Sequence, residues 1–198
     1  MPTRPQRTPS DDIFPGVLSA ALELMLEEGP EGLTVRALAR RAGVAPMSIY
    51  NHFDGKNGVI DAIIIDGFTL LGEKAGTTET DARANLIAGS CAYREFALEY
   101  RAHYTTMFLH RFVGYSPSPE TVAIAFRGFE ILAGQVQRCE ETGMFVGRSY
   151  IDVAQQVWAA VHGYVALEIL GINFASDRDR IFYEFIDALI KGLDEPAS

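Results

Sequence analysis

Thr-Val-Arg-Ala-Leu-Ala-Arg-Arg-Ala-Gly-Val-Ala-Pro-Met-Ser-Ile-Tyr-Asn-His-Phe, residues 34–53, is the stretch that decides the fold of this chain. Val35, Leu38, Ala39 and Ala42 recur at i, i+3, i+4 and i+7, which gathers them on one face of a helix. Thr34 precedes that stripe, and its hydroxyl can accept a backbone N–H of the first turn. Gly43 follows it, where a left-handed backbone ends a helix at little steric cost. Pro46 suits the first position of a second helix, because no hydrogen bond is lost there. In that helix Ala45, Ile49 and Phe53 face one way, and Pro46, Met47, Tyr50 and Asn51 face the other. Two helices joined by a tight turn, the second with an exposed hydrogen-bonding face, predict a helix-turn-helix whose second helix enters a DNA major groove.

Charge is distributed to suit this reading. The 198 residues carry a net charge of −9, which excludes a protein coated in basic residues for nucleic acid. Residues 33–58 nevertheless hold Arg36, Arg40, Arg41 and Lys56 against Asp54 alone, a local net of +3. Residues 61–198 carry −8. With 48% apolar residues the chain can bury a sizeable core, as one large domain or two small ones.

Catalytic and metal chemistry find little support. No Gly-rich phosphate loop is present, and His52, His103, His110 and His162 do not fall at a metal-ligand spacing. No enzyme activity, cofactor or metal is therefore expected. Cys91 and Cys139 are read as free thiols in a reducing cytoplasm, a redox switch being the lesser reading. Residues 1–12 are polar and carry no signal peptide; they read as a disordered tail. The most apolar run, Val157 to Phe174, contains His162 and Glu168 and is too short to span a bilayer, so a buried helix and no membrane partner are expected.

Helical periodicity continues along the chain without convincing two-residue alternation, so the fold class is all-α, with about nine helices. Phe14, Val17, Leu18, Ala21 and Met25 give a first helix closed by Gly29. After the two motif helices, a long one begins near Gly55-Lys56 and runs toward Gly72. A fifth carries Leu86 to Tyr100, and a short sixth covers Tyr104 to Val113. Residues 114–119 are a loop, with Ser118 capping and Pro119 opening the seventh helix, which stops at Gly143. Two more are expected near Tyr150–Leu170 and Asp177–Leu193.

Residues 12–60 resemble the N-terminal domain of the TetR family of bacterial transcriptional regulators. The resemblance rests on Gly29, Leu33-Thr34, Ala42-Gly43-Val44, Tyr50-Asn51-His52-Phe53 and Lys56, in that order. It departs at Ala45, where the family often has a Ser or Thr cap, and at Met47, where it often has Gly. The resemblance implies phosphate contacts from Tyr50 and His52. Lys56 adds a cation at a helix N-terminus, a ready anion site. Arg36 and Arg40 share an outward face, Arg36 being the stronger backbone contact, and Thr34 can both cap its helix and touch a phosphate. Met47 and Asn51 are the candidates for base edges, since Asn pairs bidentately with adenine and an apolar group packs on a thymine methyl. Pro46 and Ser48 complete the expected DNA-binding set.

Trp158-Ala-Ala-Val-His162-Gly163, followed by Leu167-Glu168, resembles the Trp/His-Gly signature of the WHG type of TetR C-terminal domain. The division expected is residues 10–56 for DNA and 57–198 for ligand binding and dimerisation. Aromatic residues are abundant in the second part. Tyr93, Phe96, Tyr100, Phe108, Phe126, Phe129, Trp158 and His162 are the candidate lining of an apolar cavity. For Trp158 and His162 a plain packed core is the favoured reading, and a pocket wall with a polar handle the lesser one. Phe182, Phe185, Ile186, Leu189 and Leu193 form a stripe which, with Tyr150–Leu170, is expected to pair across a two-fold axis. The expected partners are thus operator DNA, a small lipophilic effector and a second copy. The alternative is a helical small-molecule-binding or interaction protein whose helix-turn-helix does not read DNA.

Overall fold

The computed structural model describes residues 10–195. Nine α-helices, one short 3-10 turn and a π-helical turn (Thr105–Leu109) that continues the sixth helix account for the regular structure of the described residues, and none of these is in a strand. The order is α1 (Ser10–Glu27), the turn Pro30–Gly32, α2 (Val35–Ala42), α3 (Pro46–Phe53), α4 (Lys56–Ala75), α5 (Ala82–Glu99), α6 (Arg101–Tyr104), α7 (Pro119–Glu141), α8 (Tyr150–Ile169) and α9 (Arg178–Asp194). The tail expected over residues 1–12 falls outside the described residues up to residue 9, and α1 already begins at Ser10. None of the described helices is long and apolar enough to cross a membrane.

Two compact units divide the chain, and neither is continuous in sequence. One contains residues up to Gly67 together with Ala102–Val122. Its core is Val17, Leu24, Leu33, Leu38, Ile49, Ile60 and Ile63, all fully buried. Each such side chain contributes about 1.5–3 kcal/mol by leaving water. Val17, Ala21 and Met25 of α1, Leu38 and Ala39 of α2, and Ile49 and Phe53 of α3 are the members of the stripes read from sequence that are buried here, whereas Phe14 and Ala45 stay exposed, Ala45 because it lies before the first turn of α3. Phe14 stacks on Phe53 with ring centroids 4.8 Å apart, joining α1 to the end of α3.

The other unit contains Phe68–Arg101 and Ala123 onward. Leu86 and Phe96 of α5, Val136 of α7, Val153 and Val165 of α8, and Phe182 and Ile186 of α9 form its core. Caps set where these helices begin. Asp81 accepts from Ala84 N at 2.7 Å, Ser149 from Asp152 N at 3.4 Å and Asp177 from Arg180 N at 3.1 Å. Phe182, Ile186 and Leu193 turn inward, whereas Phe185 is exposed and Leu189 half-buried, so the α9 stripe serves two faces.

The sixth helix differs from expectation. It starts at Arg101 rather than Tyr104 and ends at Leu109 rather than Val113. After Tyr104 it widens: the N–H of His110 bonds to the carbonyl of Thr105, five residues back, at 3.0 Å. Thr106 Oγ1 also donates to Ala102 O at 2.8 Å, the side-chain bond to a carbonyl four residues back that loosens a helix. His110 then adopts an extended backbone and the helix cannot continue.

Candidate nucleic-acid interface and effector site

Local chemistry fixes the helix-turn-helix. Thr34 Oγ1 accepts from Ala37 N at 3.2 Å and starts α2. Gly43, at φ 68°, lets its own N–H and that of Val44 return to Ala39 O. Pro46 opens α3, while Ala45 before it supplies no side-chain cap. Asp54 closes α3 in a left-handed conformation at φ 57°, which a short polar residue tolerates. A Cβ on Gly58 would collide with the carbonyl oxygen of Phe53, so the first turn of α4 lies directly against the end of α3.

On this frame Met47 is 65% exposed and Tyr50 54% exposed, with Asn51 and His52 also exposed. They form the uncovered face of α3, opposite the buried Ile49 and Phe53. The Tyr50 ring packs against the Gly55 turn, which limits where its hydroxyl can reach. Thr34, Arg36, Arg40 and Pro46 are exposed, and Ser48 is half-buried. Lys56 is half-buried at the start of α4, with its ammonium 5.5 Å from the centre of the Phe112 ring. Arg41 stands apart from the other cations. It pairs with Glu23 at 3.0 Å and Glu27 at 2.6 Å on α1, so its charge is committed to holding α1 to α2.

Two aspartates on α4 make ties that periodicity does not reveal. Asp61 Oδ1 accepts from Tyr115 Oη at 2.7 Å, Ser118 N at 3.2 Å and Thr121 Oγ1 at 2.6 Å. Asp66 Oδ2 lies 2.9 Å from His103 Nε2. Together they fasten residues 103–121 to α4 within one unit. Burial pushes the Tyr115 hydroxyl up, and the adjacent Asp61 carboxylate adds to the effect. Burial lowers His103, partly opposed by Asp66. A carboxylate in an otherwise apolar helix face is the one signal in the sequence that points to these ties.

Part of the aromatic set expected to line a cavity comes together in the second unit. Phe129 and His162 each lie 6.0 Å from Trp158, centroid to centroid, and Tyr93 Oη is 3.0 Å from His162 Nδ1. Burial lowers the His162 pKa, favouring the neutral imidazole. Phe96 is fully buried and packs 5.6 Å from Tyr100. Phe126 is 67% exposed on α7, and Phe108 lies in the other unit, 5.2 Å from Tyr104. Arg94 is committed elsewhere. Its Nε and Nη2 bond to Glu168 at 2.8 and 2.9 Å, and its Nη1 lies 2.8 Å from Asp179. An open groove of about 760 Å³ runs along α5 and α9 past Cys91, Arg94, Glu95 and Tyr183, away from Trp158. Among the described residues no three His, Cys, Asp or Glu side chains are placed to hold a metal ion.

The chain resembles known proteins along most of its length. Residues 17–63 match the family described as bacterial regulatory proteins, tetR family, and residues 86–189 match the tetracyclin repressor-like C-terminal domain. An uncharacterised HTH-type transcriptional regulator of Mycobacterium tuberculosis is 29% identical over 90% of this chain and 80% of its own length. The class C tetracycline repressor of Escherichia coli is 35% identical over 43% of this chain and 39% of its own length. Among solved structures, the TetR family transcriptional regulator PfmR of Thermus thermophilus shares the fold, with a TM-score of 0.70 at 23% identity over 90% of this chain and 99% of its own. A TetR variant of Acinetobacter baumannii in complex with minocycline gives a TM-score of 0.61 at 26% identity, over 91% of this chain and 97% of its own. With the C-terminal match alone spanning more than half of its residues, this chain belongs to the TetR family of bacterial regulatory proteins.

Proposed function

We propose that this transcriptional regulator is a repressor that leaves a palindromic operator when a small lipophilic molecule binds. The observation that carries the reading is the uncovered face of α3: Met47, Tyr50, Asn51 and His52 are exposed, with Lys56 one turn beyond. In this reading residues 10–56 read DNA, and residues 57–198 bind the effector and form the dimer. Met47 and Asn51 meet base edges, and Thr34, Arg36, Pro46, Ser48, Tyr50, His52 and Lys56 hold the backbone around them.

The dimer pairs α8 and α9 with their copies. Ile151 and Leu167 of α8, Leu170 just after it, and Tyr183 and Phe185 of α9 are exposed apolar side chains, more surface than an isolated protomer leaves to water without use. The effector lies against Trp158, with Tyr93 and His162 as its polar handle and Phe129 beside it. Trp158, His162 and Gly163 are also our reason for reading the domain as the WHG type. The engagement of Arg94 by Glu168 and Asp179 leaves the described residues of this unit without an uncommitted buried cation, which favours a neutral or cationic lipophile. Such a regulator works in the cytoplasm.

A selection from random duplexes tests the reading. The full-length chain should enrich a two-fold symmetric sequence, and a ligand that releases it should shift the fluorescence of Trp158, the one tryptophan. If no sequence is enriched over the input pool, the chain does not read DNA and the helical ligand-binding alternative takes its place.

A further inference from the structure

The compact unit that holds the helix-turn-helix also contains Ala102–Val122, which come from the middle of the chain. These residues lie inside the 86–189 stretch matched by the C-terminal family, so the DNA-binding unit includes a piece of sequence from outside the helix-turn-helix. Where that piece reaches α4, it meets the two residues that open the helix. The Phe112 ring is buried and sits 5.5 Å from the Lys56 ammonium, and Asn57 Nδ2 reaches the carbonyl of Gly114 at 3.5 Å.

The segment is anchored at both ends of its tip. Tyr115 N bonds to Phe112 O at 3.2 Å and closes a turn, while Tyr115 Oη is held by Asp61. On the other side His110 has an extended backbone and lies edge-on to the Phe112 ring, 4.6 Å between centroids. Phe112 is turned in beneath Lys56, while Arg111 and Val113 on either side of it are exposed. Among the described residues Arg111 has no ion-pair or hydrogen-bond partner.

We propose that Arg111 is a second DNA-phosphate contact, carried beside Lys56 by this anchored turn. The inference rests on the DNA-binding reading above. Consecutive Cα atoms are about 3.8 Å apart, so a guanidinium at position 111 is tethered one residue from the ring that holds the Lys56 ammonium. Duplex DNA presents about one negative charge per 1.7 Å of axis, so a free cation beside a bound lysine meets a neighbouring phosphate without needing a particular base. The ring supports Lys56 without taking one of its N–H donors in a hydrogen bond, which leaves the ammonium's donors for a phosphate. Arg111 therefore adds grip and no base preference.

The test is the salt dependence of full-length protein binding to a mixed-sequence duplex of about 40 base pairs, read as the slope of log K against log salt. Arg111→Ala should lower the slope by about 0.9 for each subunit engaged, as Lys56→Ala does, and Arg111→Lys should restore it. Arg127→Ala removes an equal charge from an exposed position on α7 in the other unit, and should leave the slope unchanged. Because Arg111 holds no partner, the unfolding midpoint of Arg111→Ala should match the wild type. A wild-type slope in Arg111→Ala overturns the proposal, and so does an equal loss in Arg127→Ala, which would make the effect one of net charge. Failure of the wild type to bind any duplex would instead overturn the DNA-binding reading itself.

Discussion

Single residues on the α3–α4 corner decide how the recognition face is presented. Gly58 is the tightest of them. Its missing side chain lets α4 start against the Phe53 carbonyl, and backbone cannot rotate away as a flexible side chain would. Gly58→Ala should therefore destabilise the protein by about 1–3 kcal/mol, the usual cost of overpacking. DNA affinity should fall with it, because α3 must move. Equal unfolding midpoints for Gly58→Ala and wild type would show that the corner relaxes freely. On the exposed face, Tyr50→Phe should weaken binding about equally for every duplex, since a phosphate contact carries no base information. Asn51→Ala should instead flatten the preference at one base pair by roughly 1–3 kcal/mol, readable by repeating the selection with the variant. Arg41 shows why counting charges misleads at this scale. It adds one to the local +3, yet its guanidinium is taken by Glu23 and Glu27. In the other unit Glu168 is buried against Arg94, and Glu168→Ala would strand a guanidinium with Asp179 alone. A loss of about 3 kcal/mol in unfolding free energy is expected, toward the low end for a broken buried pair because Asp179 remains.

Whole elements are largely legible in the sequence, and the reasons are local. The starts of α2, α7 and α9 follow from Thr34, Ser118 and Asp177, each a side-chain cap whose hydrogen bond is made within three residues. Local chemistry of that kind is written in sequence order. The sixth helix is harder to place, because its widening at Thr105 and its end at His110 leave no mark in apolar periodicity. The aromatic set is legible only as a supply. Periodicity puts Phe126 and Phe129 on one helix, but only the fold turns Phe129 to Trp158 and leaves Phe126 in water. The ties of Asp61 and Asp66 are hidden for the same reason, since Tyr115, Thr121 and His103 lie 37 or more residues away in sequence. One local weakness is plain from the sequence: Ala45 offers α3 no side-chain acceptor, and its backbone, at φ −70° and ψ 143°, already has the extended form of a capping residue. Ala45→Ser should thus stabilise the protein by about 1 kcal/mol, seen as a higher unfolding midpoint, with base preference unchanged.

At the scale of the whole molecule, two histidines, His103 buried and His162 half-buried, set how stability responds to acid. His103 and His162 are both held below the ordinary histidine value by burial, in different compact units, and Asp66 only partly offsets the effect at His103. In the unfolded chain both titrate near about 6.5. Between that value and the lowered folded value, the unfolded state binds more protons than the folded state, so stability rises with pH across the window. Their contribution is complete above about pH 6.5 and is lost as the pH falls below it. Glu27, Glu99 and Asp187 are held low by Arg41, Lys74 and Lys191 respectively, so their contribution is present above the ordinary carboxylate range and is lost at lower pH, as it falls through the folded values. The two windows separate. Gln at position 162 keeps an acceptor for Tyr93, and Gln at position 103 keeps a donor for Asp66, so His103→Gln with His162→Gln removes titration with little change of contacts. Denaturant unfolding measured from pH 5 to 8 should slope downward below about 6.5 for the wild type and run nearly flat to about 5 for the double variant. A double variant that keeps the wild-type slope would place the proton uptake in other groups.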